Sequence, residues 1–260
     1  MTAPARVLKI GGRPQGDPTL AGRIAQLWHA GAHPLVIVHG GGDEVTTLQS
    51  ALGAEAQFVG GRRVTSERDI DIVRMALSGS ANKRLVAALV TQGVRALGIS
   101  GEDAGLLLAK PIDAERLGYV GAPHRTNVDL LWHLIDGGYV PVVSPVSRNA
   151  CAGVNTVEAL GNAAALNVNG DDAASAMAVA LTAAELLLVA DVPGVMSDGA
   201  LIPRLSSAGA LALIESGTAG GGMRAKLEAA LSALRGGVDR VRIGDVAAVN
   251  DAARGTLVAD

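Results

Sequence analysis

The chain has 260 residues, 49% of them apolar and 18% charged, enough to bury one substantial core and too apolar to stay disordered. Its 22 basic and 25 acidic side chains leave a formal charge of −3, which excludes a global field for nucleic acid while leaving room for a local basic pocket. A lone cysteine, Cys151, excludes an internal disulfide and, with only five histidines, argues against a zinc site.

The opening "MTAPARVLKIGG" has no long apolar stretch before its glycines, so no secretory signal is expected. "RVLKI" is the first predicted strand. Leu20, Ile24, Leu27 and Trp28 then fall on one face of a helix that Gly31 ends. His29 and His33 have the spacing of a helical metal pair, but Gly31 and Pro34 interrupt the helix, and a solvated turn is the simpler reading. "LVIVH" is the second strand and runs into Gly40, Gly41 and Gly42, with His39 placed to bridge backbone groups. Leu85 with Leu89, and Val86 with Val90, mark a helix before Gly93.

Further strands are expected at "VRALGIS", "YVPVVSP", "LLLVADV" and "RVRIG". Most are apolar throughout, as in strands covered on both faces. The run "AASAMAVALTAAELLLVADV" carries Glu185 and reads as a buried helix and strand rather than a membrane span. Met223, Leu227, Leu231 and Leu234 form a last helical stripe, closed by Gly236 and Gly237. Alternating strands and helices predict an α/β fold with a largely parallel sheet covered on both sides. The pattern weakens from Ser147 to Ala164, and a boundary near residue 180 would divide residues 1–180 from residues 181–260.

Glycine gathers at strand ends and helix starts: "KIGG", "VHGGG", "GISGEDAG" and "TAGGGMRAK". Ligands of open parallel sheets collect at the carboxyl ends of strands, where bare amides and helix N-termini receive anions. The four clusters together point to a polyanion. There is no Gly-Lys dipeptide, which excludes a Walker A loop, no G-x-G-x-x-G, and no G-x-S-x-G elbow.

Ten blocks occur in one order: "KIGG" at Lys9, "VIVHGGG" at His39, "FVGGRRVT" from Phe58, "SANKRLV" from Ser80 and "GISGEDAG" from Gly98. "LGYVG" from Leu117, "GYVPVVSP" from Gly138, "NVNGDDAA" from Asn167, "LLLVADVPGV" from Leu186 and "GGMRAK" ending at Lys226 complete the set. Together they resemble the amino acid kinase family over nearly the whole chain. The resemblance implies a three-layer αβα sandwich that moves the γ-phosphoryl group of ATP, with Mg2+, onto the side-chain carboxylate of N-acetyl-L-glutamate in arginine biosynthesis. It implies a cytoplasmic homodimer, with no nucleic-acid or membrane partner. Residues 1–180 would hold the acyl amino acid and dimerise, and residues 181–260 would hold ATP.

The resemblance assigns Gly41, Gly42, Arg63 and Asn167 to the acid, and Lys9, Lys226 and Asp171 to catalysis. Gly11, Gly12, Asp191, Val192, Pro193, Gly194, Val195, Met196, Thr218, Ala219 and Gly220 would border the nucleotide. No residue is assigned as a direct metal ligand. The chemistry is consistent with this set. A carboxylate of pKa about 4.3 is already ionised, so no general base is needed, and cations must offset repulsion between two anions. Each lysine alone reads equally as a surface charge, and Asp171 equally as a helix N-cap. Lys226 falls off the apolar stripe of its helix, so its ammonium need not be buried. "GGRR" offers Arg62 and Arg63 for a carboxylate, and the family pattern selects the second. "APHRTN" after "LGYVG", Asp43 after the glycines, and Arg13-Pro14 after "KIGG" depart from that pattern near the acid. Only eight residues precede Lys9, which leaves no space for the extra helix of arginine-inhibited relatives, so a dimer without arginine feedback is expected. Rival readings are a kinase of carrier-linked aminoadipate and a non-catalytic sensor of the same fold.

Overall fold

The computed structural model describes residues 3–31, 34–152, 164–197 and 199–260; His33 and most of the weakly patterned segment before Ala164 lie outside the described residues. Strand β1 (Arg6–Ile10) leads into helix α1 (Leu20–His29), and β2 (Leu35–His39) into α2 (Gly42–Ala51). A hairpin of β3 (Phe58–Val59) and β4 (Arg62–Arg63) precedes α3 (Glu67–Val73), a π-helical stretch over Arg74–Ala81, and α4 (Asn82–Thr91). Next come β5 (Ala96–Gly101), β6 (Leu107–Pro111), the single turn α5 (Ala114–Leu117), β7 (Val120–Thr126), α6 (Val128–Asp136) and β8 (Val140–Asn149). Then follow β9 (Ala165–Val168), α7 (Gly170–Ala180), β10 (Glu185–Val189) and a small hairpin, β11 (Met196–Ser197) with β12 (Ala200–Leu201). The chain closes with β13 (Arg204–Leu205), α8 (Ser207–Glu215), α9 (Gly221–Arg235), β14 (Val241–Gly244) and β15 (Thr256–Val258).

The central sheet runs β14-β10-β1-β2-β8-β5, every neighbouring pair parallel. These six strands are the six apolar runs of the sequence. Their burial explains the legibility: all five positions of β2 and of β10 are buried. The antiparallel pairs lie around this centre, where β15 joins β14, β7 joins β6, and β9 joins the far half of β8. The sheet is therefore mixed, with its parallel part in the middle.

Strand alternation divides the core into two layers. Val7, Val36, Val38, Leu186 and Leu188 face α7 and α9, whose Ala174, Met177, Ala178, Leu227 and Leu231 fill that side. Leu8, Ile10, Leu35, Ile37, Leu187 and Val189 face α1 and α4, against Leu20, Ile24, Leu85 and Leu89. The result is a three-layer αβα sandwich. Both layers draw on residues from either side of position 180.

A buried ion cluster sits at the opposite end of these strands from the glycine loops. Glu185, only 3% exposed, receives Arg242 Nε at 2.6 Å and lies 2.7 Å from Arg6 Nη2. Arg242 Nη1 donates to the carbonyls of Asp251 and Arg254, and Nη2 to that of Ala248. In the sequence Glu185 served only as an argument against a membrane span. Its partners are distant in the chain, and no local pattern announces them.

Candidate active site

The carboxyl ends of β1 and β2 meet the N-termini of α2, α7 and α9. Lys9 is the last residue of β1 to point toward the α7 layer, two positions beyond Val7, so alternation alone aims it at the start of α7. There Asn169 caps the helix, its side chain accepting from the amides of Asp171 and Asp172. Asp171 is thus not the N-cap considered from sequence. Its carboxylate is free to turn inward, where it is 4% exposed.

Both expected lysines reach that carboxylate. Lys9 Nζ lies 2.9 Å from Asp171 Oδ1, and Lys226 Nζ donates to Oδ2 at 3.3 Å. Burial works to raise the pKa of Asp171, but the two ammonium charges outweigh it, and the net shift is downward. The pKa of Lys226 is also lowered: burial and the charge of Lys9 push it down, and Asp171 opposes them. The sequence reading left the Lys226 ammonium room to stay in solvent; its side chain is in fact only 13% exposed. Its ammonium turns into the site, toward Asp171.

Lys9 stands between two cavities. One, of about 200 Å³, is lined by Gly40, Gly41, Gly42, Phe58, Arg62, Arg63, Asn167 and Asp171. The other, of about 450 Å³, is lined by Gly11, Gly12, Arg13, Asp191, Val192, Met223 and Lys226. Lys9 and Gly42 belong to both. All four residues expected at the acid therefore gather in the smaller cavity. Arg63 is half-buried, and burial lowers its pKa from the ordinary value. It donates to Gln49, to the Gly42 carbonyl at 2.8 Å and to Thr46 Oγ1 at 2.8 Å, and it lies over the Phe58 ring. The Asn167 amide is anchored on Thr65 Oγ1 at 3.0 Å.

The nucleotide set is divided. Gly11, Gly12, Asp191 and Val192 line the larger cavity. Ala219 and Gly220 line a neighbouring one at the start of α9, a helix whose first turn has no side-chain cap. Pro193, Gly194, Val195, Met196 and Thr218 are not among the residues lining these cavities. Val195 is packed inside, its amide donated to Thr256 Oγ1, so its side chain serves the core.

Two glycine loops explain the triple glycine after β2. Gly41 has φ 151°, and a Cβ there would meet Leu77 Cδ2 at 2.8 Å; one on Gly12 would lie 3.4 Å from the Gly41 Cα. The β1 and β2 loops thus pack backbone to backbone between the two cavities. The cluster "GISGEDAG" does not join them. A Cβ on Gly98 would strike the Asn82 side chain, and one on Gly101 the Val146 carbonyl, so these glycines serve helix and sheet packing.

His39 alternates to the other face of β2 and is fully buried. Its Nδ1 bonds the Gly40 carbonyl at 2.9 Å and its Nε2 the Asn82 side-chain amide at 3.1 Å, so it bridges one backbone group and one side chain rather than two backbone groups. Arg13 was noted in the sequence only as a departure. It spans the mouth of the larger cavity, 2.9 Å from Asp191 and 3.6 Å from Asp43.

The amino acid kinase family model matches residues 4–245. The chain belongs to the amino acid kinase family. Among curated members of that family, the acetylglutamate kinase of Chloroflexus aurantiacus is 40% identical, the match covering 94% of this chain and 93% of the relative. A crystal structure from Streptococcus mutans superposes with a TM-score of 0.85 at 28% identity, over 98% of both chains. The N-acetylglutamate synthase of Neisseria gonorrhoeae, solved with coenzyme A and N-acetyl-glutamate, gives 0.81 at 27% identity. That match takes in all of this amino acid kinase chain and 60% of the synthase.

Proposed function

We propose that this chain transfers the γ-phosphoryl group of ATP to the side-chain carboxylate of N-acetyl-L-glutamate, forming N-acetyl-L-glutamyl 5-phosphate for arginine biosynthesis. The observation that carries this reading is the Lys9–Asp171–Lys226 arrangement at the junction of the two cavities. The likeness to acetylglutamate kinases over 94% of the chain favours the acid. In this reading the smaller cavity holds the acid, with Arg63 for its carboxylate, and the larger holds the nucleotide phosphates.

The acid oxygen attacks the γ-phosphorus in line, and the bond to the β–γ bridging oxygen breaks. Lys9 and Lys226 face the equatorial and leaving oxygens, and Asp171 keeps the two cations together without itself taking a proton. Among the described residues no group of three His, Cys, Asp or Glu side chains is placed to hold a metal ion. Both Asp171 oxygens lie against lysines and Asp191 pairs with Arg13, so Mg2+ fits here as a companion of the ATP phosphates. Its chemistry is to neutralise and orient them.

We assign residues 1–180 to the acid and residues 181–260 to ATP, with α7 at the seam and with Gly11, Gly12 and Arg13 of the first part reaching across to the nucleotide cavity. No helix among the described residues is long and apolar enough to cross a membrane, and cytoplasmic ATP is the natural phosphoryl source. For the homodimer we nominate the edge strand β5, which among the described residues pairs only with β8 and exposes Leu97. Light scattering should give twice 26.1 kDa, and Leu97→Asp should halve it.

Hydroxylamine trapping of the acyl phosphate tests the reaction against N-acetylglutamate, glutamate, aspartate and aminoadipate. Hydroxamate from N-acetylglutamate above the others is expected. Product from aminoadipate alone would move the assignment to the carrier-linked rival, and none from any acid would remove the kinase reading.

A further inference from the structure

The β3–β4 hairpin stands outside the main sheet and turns through Gly60 and Gly61, both at positive φ. Phe58, Gly61, Arg62 and Arg63 belong to the lining of the smaller cavity. A two-stranded ribbon has little stability of its own, so whatever fastens it decides whether that cavity is roofed. At its base, the Val64 amide donates to the Gln57 carbonyl and the Thr65 amide to the Leu117 carbonyl. Beyond the base, two side chains fasten it to the body. Alternation sends Arg63 and Arg62 to opposite faces of the ribbon. Arg63 turns toward α2. Arg62 crosses to α7, where its Nη2 donates to Asp172 Oδ2 at 2.9 Å.

We propose that the Arg62–Asp172 ion pair is a clasp that holds the hairpin over the acid cavity, making Arg62 a positioning residue for recognition of the acid by Arg63. Its two side chains are 29% and 23% exposed, so water weakens the pair less than it would a surface bridge. The clasp joins the ribbon to the residue next to Asp171, and roof and phosphoryl-transfer centre are tied through one helical turn. It is poised rather than locked. Arg62 Nη1 is buried without a hydrogen-bond partner, an unmet donor that works against the closed form. The hairpin also has space on its far side, a cavity of about 510 Å³ bordered by Gly60, Gly61, Asp172, Gly220 and Arg224.

The kinetic part of this inference rests on the acid kinase reading; the structural part does not. Hydrogen exchange on the free protein should show residues 58–65 exchanging about tenfold faster in Arg62→Gln and in Asp172→Asn. The double variant should exchange no faster than either single one. In turnover, both single variants should raise KM for N-acetylglutamate about tenfold, with KM for ATP and kcat moved less than about threefold. Unchanged exchange at the hairpin, effects that multiply in the double variant, or a fall in kcat at constant KM would each overturn the clasp. A wild-type protein that phosphorylates no acid, yet shows the coupled exchange, would sink the reaction and leave the clasp standing.

Discussion

Two ammonium groups brought within reach of one carboxylate would repel each other in its absence. Asp171 removes that penalty by pairing with both, and under the proposed function the lysines are thereby set for the charge of the transferring group. Lys226 lines the larger cavity and Arg63 the smaller, so under the proposed function their losses should register differently. Lys226→Ala should lower kcat by about 10² to 10³, the range for deleting one electrostatic stabiliser, with KM for the acid changed less than about threefold. Arg63→Lys keeps the charge but loses the planar fork, and should raise that KM about tenfold while sparing kcat. Steady-state kinetics on both variants checks the contrast. Equal, small effects would mean that neither side chain meets its substrate. The lysines were legible because each adjoins a glycine cluster and a predicted strand or helix. Residue chemistry alone did not separate Arg62 from Arg63; the family pattern selected the second, strand alternation gives the two separate faces, and Arg13 had no motif at all.

At the scale of elements, the seam between β2 and α4 carries a pH signal. Burial holds the His39 pKa down at about 4, while the unfolded chain protonates it near 6.5. Between those values the unfolded state binds the extra proton, so this group removes stability as pH falls from about 6.5 to 4. Chemical denaturation at pH 7 and pH 5 should show about 2 kcal/mol lost through it. His39→Gln, titrated in parallel, should lack that increment. The six central strands were readable from sequence because burial on both faces leaves uninterrupted apolar runs. Strands β6, β7 and β9 were not: their residues include Pro, Arg and Gly, as in "VGAPHRT", and they gain their order by pairing, β6 and β9 with β8 and β7 with β6 and β9. The two-residue strands β3 and β4 carry no periodicity to read.

For the whole molecule, stability is anchored at the end away from chemistry. Glu185 offsets Arg242, which is 2% exposed, together with Arg6. Glu185→Ala would leave a guanidinium inside the protein without a counter-charge, at a cost of about 3–5 kcal/mol. For a chain of this size that corresponds to a melting temperature lower by roughly 10 °C, measurable by calorimetry. A change below 2 °C would show that the carbonyls around Arg242 suffice. None of this cluster was foreseen, since its members meet only when β1, β10 and β14 lie side by side.

That same alignment bears on how the chain is made. Lys9 faces Asp171 only because β1 sits in one register, with Arg6 opposite Leu35 on one flank and Glu185 on the other. A slip of one residue would turn the lysine to the opposite layer of helices and split the charge cluster at the far end. One register thus serves both ends of the molecule, and a misthreaded copy would lose the Lys9–Asp171 pair and the buried ion cluster together.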